Sequence, residues 1–360
     1  MFRNLPKIAC LVVVVLFACG KHHDDSGVPS GVRTYRMGFM NSAPRLDFNE
    51  YIQSFNIWTS HADATIISTE VPWDSLLNGE SAIAFVAHNY LDVVKICRSK
   101  NMQIWVYIDP ENGLDRQSDA VALARHGKSI AQADAQAIYR RFVVVADSIL
   151  HPDHLGLALE TNLIRVAAPT SIYQGVRTAA NAAAADVKAV DPKVLLSVSV
   201  QAEVAWGKLG SNTSYAGIDA DLTDFPFIQE VGISSYAYLG FSSPSDIPLN
   251  YYSRLVDGHK LPVFVSEGGW TSANLTDLGI QSNPFKQQDY LRRQAQVLTQ
   301  AKAIGVFQLT FTDLALSGWP ASDSAGLYPF AFLGMVDSNF VDKPVFATWD
   351  SLRQLPFFQP

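Results

Sequence analysis

From residue 34 onward the chain alternates short, almost unbroken apolar runs with longer stretches in which apolar residues recur every three or four positions. The short runs are Tyr35–Asn41, Ala64–Glu70, Gln103–Asp109, Leu155–Glu160, Val194–Gln201, Val231–Tyr236, Pro262–Glu267 and Gly305–Phe311. Continuous apolar character, rather than strict alternation, is what a strand needs when both of its faces are covered. The longer stretches predict helices, clearest at Ser81–Arg98, Ala131–Leu150, Ser171–Val190 and Pro284–Ala303. Asn283 supplies an N-cap for the last of these, and Pro284 takes its first helical position. A shorter helix is expected near Leu222–Gln229, and a final one from Pro344. Eight strand–helix units predict an α/β chain folded as a single-domain (β/α)8 barrel, the TIM barrel, over residues 34–360. No GxGxxG turn follows the first strand, which counts against a doubly wound sheet that binds a dinucleotide.

The residues ahead of the barrel have a different character. Arg3 and Lys7 precede an apolar run, Leu11–Phe17, that is too short to span a bilayer, as in a signal peptide over residues 1–18. The run ends Leu16-Phe17-Ala18-Cys19-Gly20, which resembles a bacterial lipobox. That resemblance implies a lipid on Cys19, through which the chain meets the membrane, and a place in the bacterial cell envelope. Residues 19–33, with His22-His23 and Asp24-Asp25, read as a polar tether; plain secretion is the alternative. After cleavage only Cys19 and Cys97 would remain, so no disulfide framework exists. Cys97 shares an apolar helical face with Leu91 and Val94 and reads as a core thiol.

The 360 residues are 48% hydrophobic and 17% charged, enough to fill a sizeable core. A net charge of −7 argues against nucleic acid as a partner and fits a secreted protein with a neutral or weakly charged ligand; a monomer is expected. No metal-ligand spacing or cofactor motif is present in the sequence. His151 and His154 precede the fourth strand, at the end of the barrel where stability rather than chemistry resides.

Chemistry is expected at the opposite, C-terminal ends of the strands. Two strings, LGLALETN and LPVFVSEGGW, run apolar strands straight into Glu160 and Glu267. Burying a carboxylate is costly unless pairing or chemistry compensates. Two of them at strand ends suit the acid/base and nucleophile pair of a glycosidase, with poly- or oligosaccharide as substrate. Around them the pattern places Arg45, Glu70, Asp109, Asn162, Gln201, Glu203, Tyr238 and Asp313 as candidate binding residues. Trp73, Trp206, Trp270 and Trp319 are candidate platforms for the apolar face of a sugar. Four have a structural alternative: a salt bridge with Arg45 for Glu70, loop capping for Asp313, a hydrophobic rim for Trp206 and Trp270. Glu203, Glu111 and Asp109 are the reserve acids should Glu160 not serve.

An acid/base glutamate ending strand four and a nucleophile ending strand seven is the pattern of the large clan of (β/α)8 retaining glycoside hydrolases. PVFVSEGGW (262–270) resembles the strand-seven signature of the family 53 endo-β-1,4-galactanases, and VGISSYAY (231–238) resembles their sixth strand. LGMVDSNFVDKPVF (333–346) is similar to the clan's segment leading into the last helix. The resemblance implies Glu267 as nucleophile, Glu160 as acid/base, and Tyr236 as a hydroxyl holding Glu267. Two positions depart from it. Leu159 stands where the clan has an asparagine, and Thr310-Phe311-Thr312 replaces its strand-eight tryptophan. Leu159 keeps open a second reading, a carbohydrate-binding barrel without catalysis.

Overall fold

The computed structural model describes residues 31–209 and 214–358. The signal segment, Cys19 and most of the tether lie outside the described residues. Eight parallel strands close into a barrel in sequence order. They are β1 Arg36–Met40, β2 Ala64–Glu70, β3 Gln103–Asp109, β4 His154–Gly156, β5 Leu195–Gln201, β6 Glu230–Ser235, β7 Val263–Gly268 and β8 Gly305–Gln308. β1 pairs with β8 from Arg36 beside Gly305, which completes the ring. The chain is a (β/α)8 barrel.

Helices Phe48–Trp58, Ala82–Ser99, Ala133–Leu150, Thr170–Val190, Asp219–Asp224, Pro284–Gln300 and Pro344–Arg353 pack outside it. The boundaries of the long helices follow the apolar periodicity closely, whereas the short one expected near Leu222–Gln229 lies earlier, at Asp219–Asp224. Asn283 caps its helix by accepting from the N–H groups of Phe285 and Lys286. Two expectations fail locally. Between β6 and β7 only 3-10 turns, Ala237–Leu239, Pro244–Asp246 and Ser253–Val256, make the crossover. The fourth strand stops at Gly156, short of the predicted Glu160, because the chain turns out of the sheet to begin the short helix Thr161–Ala167.

The lumen is filled by Ala64, Ile66, Trp105, Tyr107, Leu159, Phe264 and Phe307. Tyr107 dominates the middle layer, and its hydroxyl pairs with Ser197 Oγ at 2.8 Å. Glycines opposite it make the room: a Cβ on Gly156 would stand 2.3 Å from the ring, and one on Gly232 2.3 Å from the hydroxyl. At the N-terminal end, His154 meets Glu230 at 2.9 Å and stacks on Trp105 at 3.7 Å. Burial pushes the Cys97 thiol up to about 12. Among the described residues no helix is long and apolar enough to cross a membrane.

Gly232→Ala should therefore destabilise the barrel by about 1–3 kcal/mol, the range for overpacking a filled core. In urea unfolding, Tyr107→Phe should recover part of that loss in the double variant, since it removes the clashing oxygen. Additive losses would refute this account of the lumen.

Candidate active site

Alternation along each strand decides which polar groups reach the mouth. Inward-facing Trp105 and Tyr107 carry Asp109 inward, and inward-facing Gly232 carries Ser234 and Tyr236. On β7 strict alternation from inward-facing Phe264 would turn Glu267 out toward the helices. A bulge prevents this: Ile233 pairs with Val265, but the next pair is Ser234 with Glu267, leaving Ser266 unopposed. The extra residue turns Glu267 toward the mouth, as bulges beside active sites commonly do. Glu160 takes a different route. It is the N-cap of helix Thr161–Ala167, with left-handed backbone at φ 49°, and its N–H donates to Ser199 Oγ at 2.9 Å. A glutamate held there is locally strained, which the surrounding bonds must maintain.

The two carboxyl groups meet over one hydroxyl. Ser234 Oγ stands 2.6 Å from Oε1 of Glu160 and 3.0 Å from Oε1 of Glu267. The two oxygens can be no further apart than those distances laid end to end. Ser234 has one proton to share between the two oxygens. Burial and neighbouring Glu160 push Glu267 up to about 7, against the lowering by Arg116, Ser234 and Tyr236. Tyr236 donates to Glu267 Oε1 at 3.1 Å, and burial beside Glu267 keeps its phenol well above the usual range.

Arg116 is the residue that the strand-end pattern missed. Its Nε donates to Glu160 Oε2 at 3.0 Å and its Nη1 to Asp109 at 2.5 Å, with all three side chains buried. Burial raises the Asp109 carboxyl while Arg116 opposes the rise. The available signal was compositional: three acids, Asp109, Glu111 and Asp115, precede a lone arginine in a loop after β3. Ser234 was also legible, two residues before Tyr236 and hence on the same face. Glu111, a reserve acid, is buried with neither carboxyl oxygen hydrogen-bonded to the protein. Burial, Asp119 and Asp109 push it up to about 10.

Several expected binding residues are occupied elsewhere. Glu203 is enclosed beneath the rim, accepting from Gln201 Nε2, Ser235 Oγ, Tyr236 N and Tyr251 OH. It fixes Tyr236 from behind rather than facing the mouth. Asn162 and the Gln201 backbone exchange two hydrogen bonds, a strut between the fourth and fifth strand ends. Asp313 pairs with Lys343 at 2.7 Å. Arg45 pairs with Glu50 rather than Glu70, and Glu70 instead accepts from Gly113 N. Tyr238 donates to Pro329 O. Trp73 and Trp270 are buried; Trp270 donates to Ser282 and packs on Tyr290, so it offers no open platform. Trp206 and Trp319 are half-buried, their indoles donating to Tyr251 O and Pro44 O. Leu159 points into the lumen, so no polar group stands beside Glu160 at that position.

A cavity of about 610 Å³ opens at the other end of the barrel, lined by Arg36, Trp105, His154, Lys193 and Glu230 among others. Its three carboxyls are already committed: Glu230 to His154, Asp153 to Arg98 and Ile104 N, and Asp191 to the N–H groups of Lys193 and Val194. The Glu160–Glu267 end is therefore the better candidate. Among the described residues no group of three or more His, Cys, Asp or Glu side chains is placed to hold a metal ion.

No protein-family model matches the chain, and no curated protein matches it. Solved structures do match in fold. An exo-beta-1,4-mannosidase from Opitutaceae bacterium strain TAV5 superposes with a TM-score of 0.62 at 14% identity, covering 91% of this chain and 62% of its own. A beta-D-glucuronidase from Dictyoglomus thermophilum gives 0.57 at 15% identity, covering 91% and 52%. The GH5_18 structure from Bifidobacterium longum subsp. longum gives 0.57 at 17% identity, covering 91% and 82%. The chain thus spans between half and two thirds of the length of the first two, and the likeness at this identity is one of fold.

Arg116→Met should destabilise the protein by about 3–5 kcal/mol, since it leaves Asp109 and Glu160 buried without their counter-charge. Glu111→Met should act the other way, adding about 1–3 kcal/mol by removing an unsatisfied buried group. The folded state holds the Glu111 proton more tightly than the unfolded chain does. Its contribution to stability therefore falls as pH rises from the ordinary carboxylate range toward 10. Urea midpoints at pH 6 and pH 9 should show the Glu111→Met gain growing with pH; an equal gain at both would refute the assignment.

Proposed function

We propose that the chain is a glycoside hydrolase acting on poly- or oligosaccharide by double displacement, with Glu267 as nucleophile and Glu160 as acid/base. The observation that carries this reading is the single hydroxyl, Ser234, in contact with both carboxyl groups. Retaining glycosidases hold their carboxyls ~5–5.5 Å apart, inverting ones ~6.5–9.5 Å, and the Ser234 bridge caps the separation near the shorter range. The fold neighbours include proteins named as an exo-beta-1,4-mannosidase and a beta-D-glucuronidase, which agrees with the class while leaving the sugar open.

The bridge also explains how the charges would be set. A proton on Glu267 can be given to Ser234 as Ser234 gives its own to Glu160. The result is an ionised Glu267, steadied by the Tyr236 hydroxyl, and a protonated Glu160. Glu267 then attacks the anomeric carbon as Glu160 protonates the departing oxygen; Glu160 next takes a proton from the water that releases the sugar. Lipidation of Cys19 would hold this activity at the cell envelope as a membrane-tethered monomer. The second reading, a saccharide-binding barrel without catalysis, is favoured by the Arg116 clamp on Glu160 and by Leu159.

A panel of 4-nitrophenyl β-galactoside, mannoside, glucoside and glucuronide, with galactan and arabinan, tests the reading. At least one should be cleaved, and Glu160→Gln and Glu267→Gln should each lower kcat by about 10²–10⁴-fold. Proton NMR should show the first-released anomer in the configuration of the bond cut; the opposite anomer would exclude double displacement. The proton relayed to Glu160 is the one held at Glu267, so kcat/KM of the wild type should fall as pH rises through about 7, where the pair loses it. A rise through the same pH would refute the relay. Saturable sugar binding with no turnover would establish the binding barrel.

A further inference from the structure

The segment from Thr312 to Val341, which follows β8, makes a long excursion before Val336 returns to bridge Thr312. It leaves toward the first strand's loop, where Ala315 N and Trp319 Nε1 both donate to Pro44 O, at 2.8 and 3.0 Å. Gly318 there lies against Arg45, so closely that a Cβ would stand 2.6 Å from its side chain. Helix Ala321–Leu327 then carries Gly326 onto Leu114 of the β3 loop, 3.5 Å from where a Cβ would lie. Immediately afterwards Pro329 O accepts from Tyr238 at 2.9 Å, and the Phe330 ring lies 4.7 Å from that of Tyr236. Ser272 N, on the β7 loop, donates to Phe332 O, and Gly334 N returns to Asp313 Oδ1 at 2.9 Å.

These contacts trace a strap across the mouth. β3 and β6 stand three strands apart in the eight-strand ring, yet the strap touches the loops of both within four residues, at most about 14 Å of chain. It is fastened at its base by the buried Asp313–Lys343 pair. Beneath it the site is nearly closed: Glu160 is 7% exposed, Tyr236 4% and Ser234 not at all. A polysaccharide threaded through an internal cleavage site needs room for sugar units on both sides of the scissile bond. A strap over one side leaves a pocket with a floor.

We propose that the strap makes this a chain-end site, removing single terminal units from β-linked oligosaccharides rather than cutting inside them. The proposal rests on the hydrolase reading above and departs from the endo action that the galactanase resemblance implied. Phe330 has a defined part in it. It is half-buried, it packs on the tyrosine that holds Glu267, and it presents the flat apolar face that Trp206 and Trp270, committed elsewhere, do not.

The test uses the full chain with β-1,4-mannohexaose, β-1,4-galactohexaose and cellohexaose, each fluorescently labelled at the reducing end. Chain-end action shortens a labelled hexamer in order, to pentamer and then tetramer, with monosaccharide as the early unlabelled product. Early labelled dimers or trimers would overturn the proposal while leaving the hydrolase reading intact. Failure on every hexamer and every aryl glycoside would overturn that reading and the proposal with it. Cleavage of aryl glycosides alone would exclude saccharide chain ends as the substrate. Replacing residues 317–327 by Gly-Ser-Gly-Ser should add internal products, and unchanged products in a folded variant would count against the strap. Phe330→Ala, a milder change, should raise KM by about 2–10-fold, the range of one aromatic contact, with product order unchanged. An unchanged KM would remove Phe330 from the site.

Discussion

Closure of the sheet is the constraint on which everything else in this protein depends. Once eight parallel strands form a ring, alternate residues of each strand share one interior, and their sizes must sum to fill it. Tyr107 and Trp105 take most of that volume, and Gly156 and Gly232 give way to them. The same alternation continues upward into the mouth, where the next inward residues are polar rather than apolar. The catalytic candidates are thus the top layer of the core, and their positions are as fixed as those of the packed residues beneath.

At two points the strands break their own rule, and both lie at the site. The β7 bulge at Ser266 turns Glu267 inward, and the early end of β4 lets Glu160 adopt a left-handed backbone above Leu159. Neither distortion is favourable alone. Each is held by hydrogen bonds with neighbouring strands: Glu160 N–H donates to Ser199 Oγ, and Ser234 and Tyr236 donate to Glu267. Behind Tyr236, Glu203 collects four donors and ties the fifth and sixth strand ends together. The strained backbone at Glu160 and the bulge before Glu267 are thus supported by buried hydrogen bonds from the neighbouring strand ends.

Electrostatics gives the site its asymmetry. Arg116 comes from a loop, yet it is buried between Asp109 and Glu160, so the cation reaches one member of the dyad directly and Glu267 only at longer range. Burial then dominates at Glu267, and the proton it favours there is the one that the shared serine can pass on. A buried charge network of this kind adds little net stability, because desolvation offsets most of the attraction. Its effect is to fix where a proton resides.

The eight strands, most helices, the strand-end glutamates and Tyr236 were legible in the sequence because they follow from periods of two and about 3.6 residues that local packing enforces. The same logic placed His154 at the end away from the chemistry, where it stacks on Trp105. It also assigned Gln201, Asn162, Glu203 and Trp270 to a ligand, because a strand-end position says which end a residue occupies but not whether a neighbour has already claimed its side chain. Arg116, Ser234 as a bridge, and the strap over the mouth depended on residues 44, 74 and 275 positions apart meeting across the barrel. Sequence by itself determined the repeat, the core faces and the acids at the strand ends, all consequences of local periodicity. Which of those acids face one another, which are already paired, and how much of the mouth stays open was decided only by the tertiary structure, because ring closure and loop crossings bring those groups together through space.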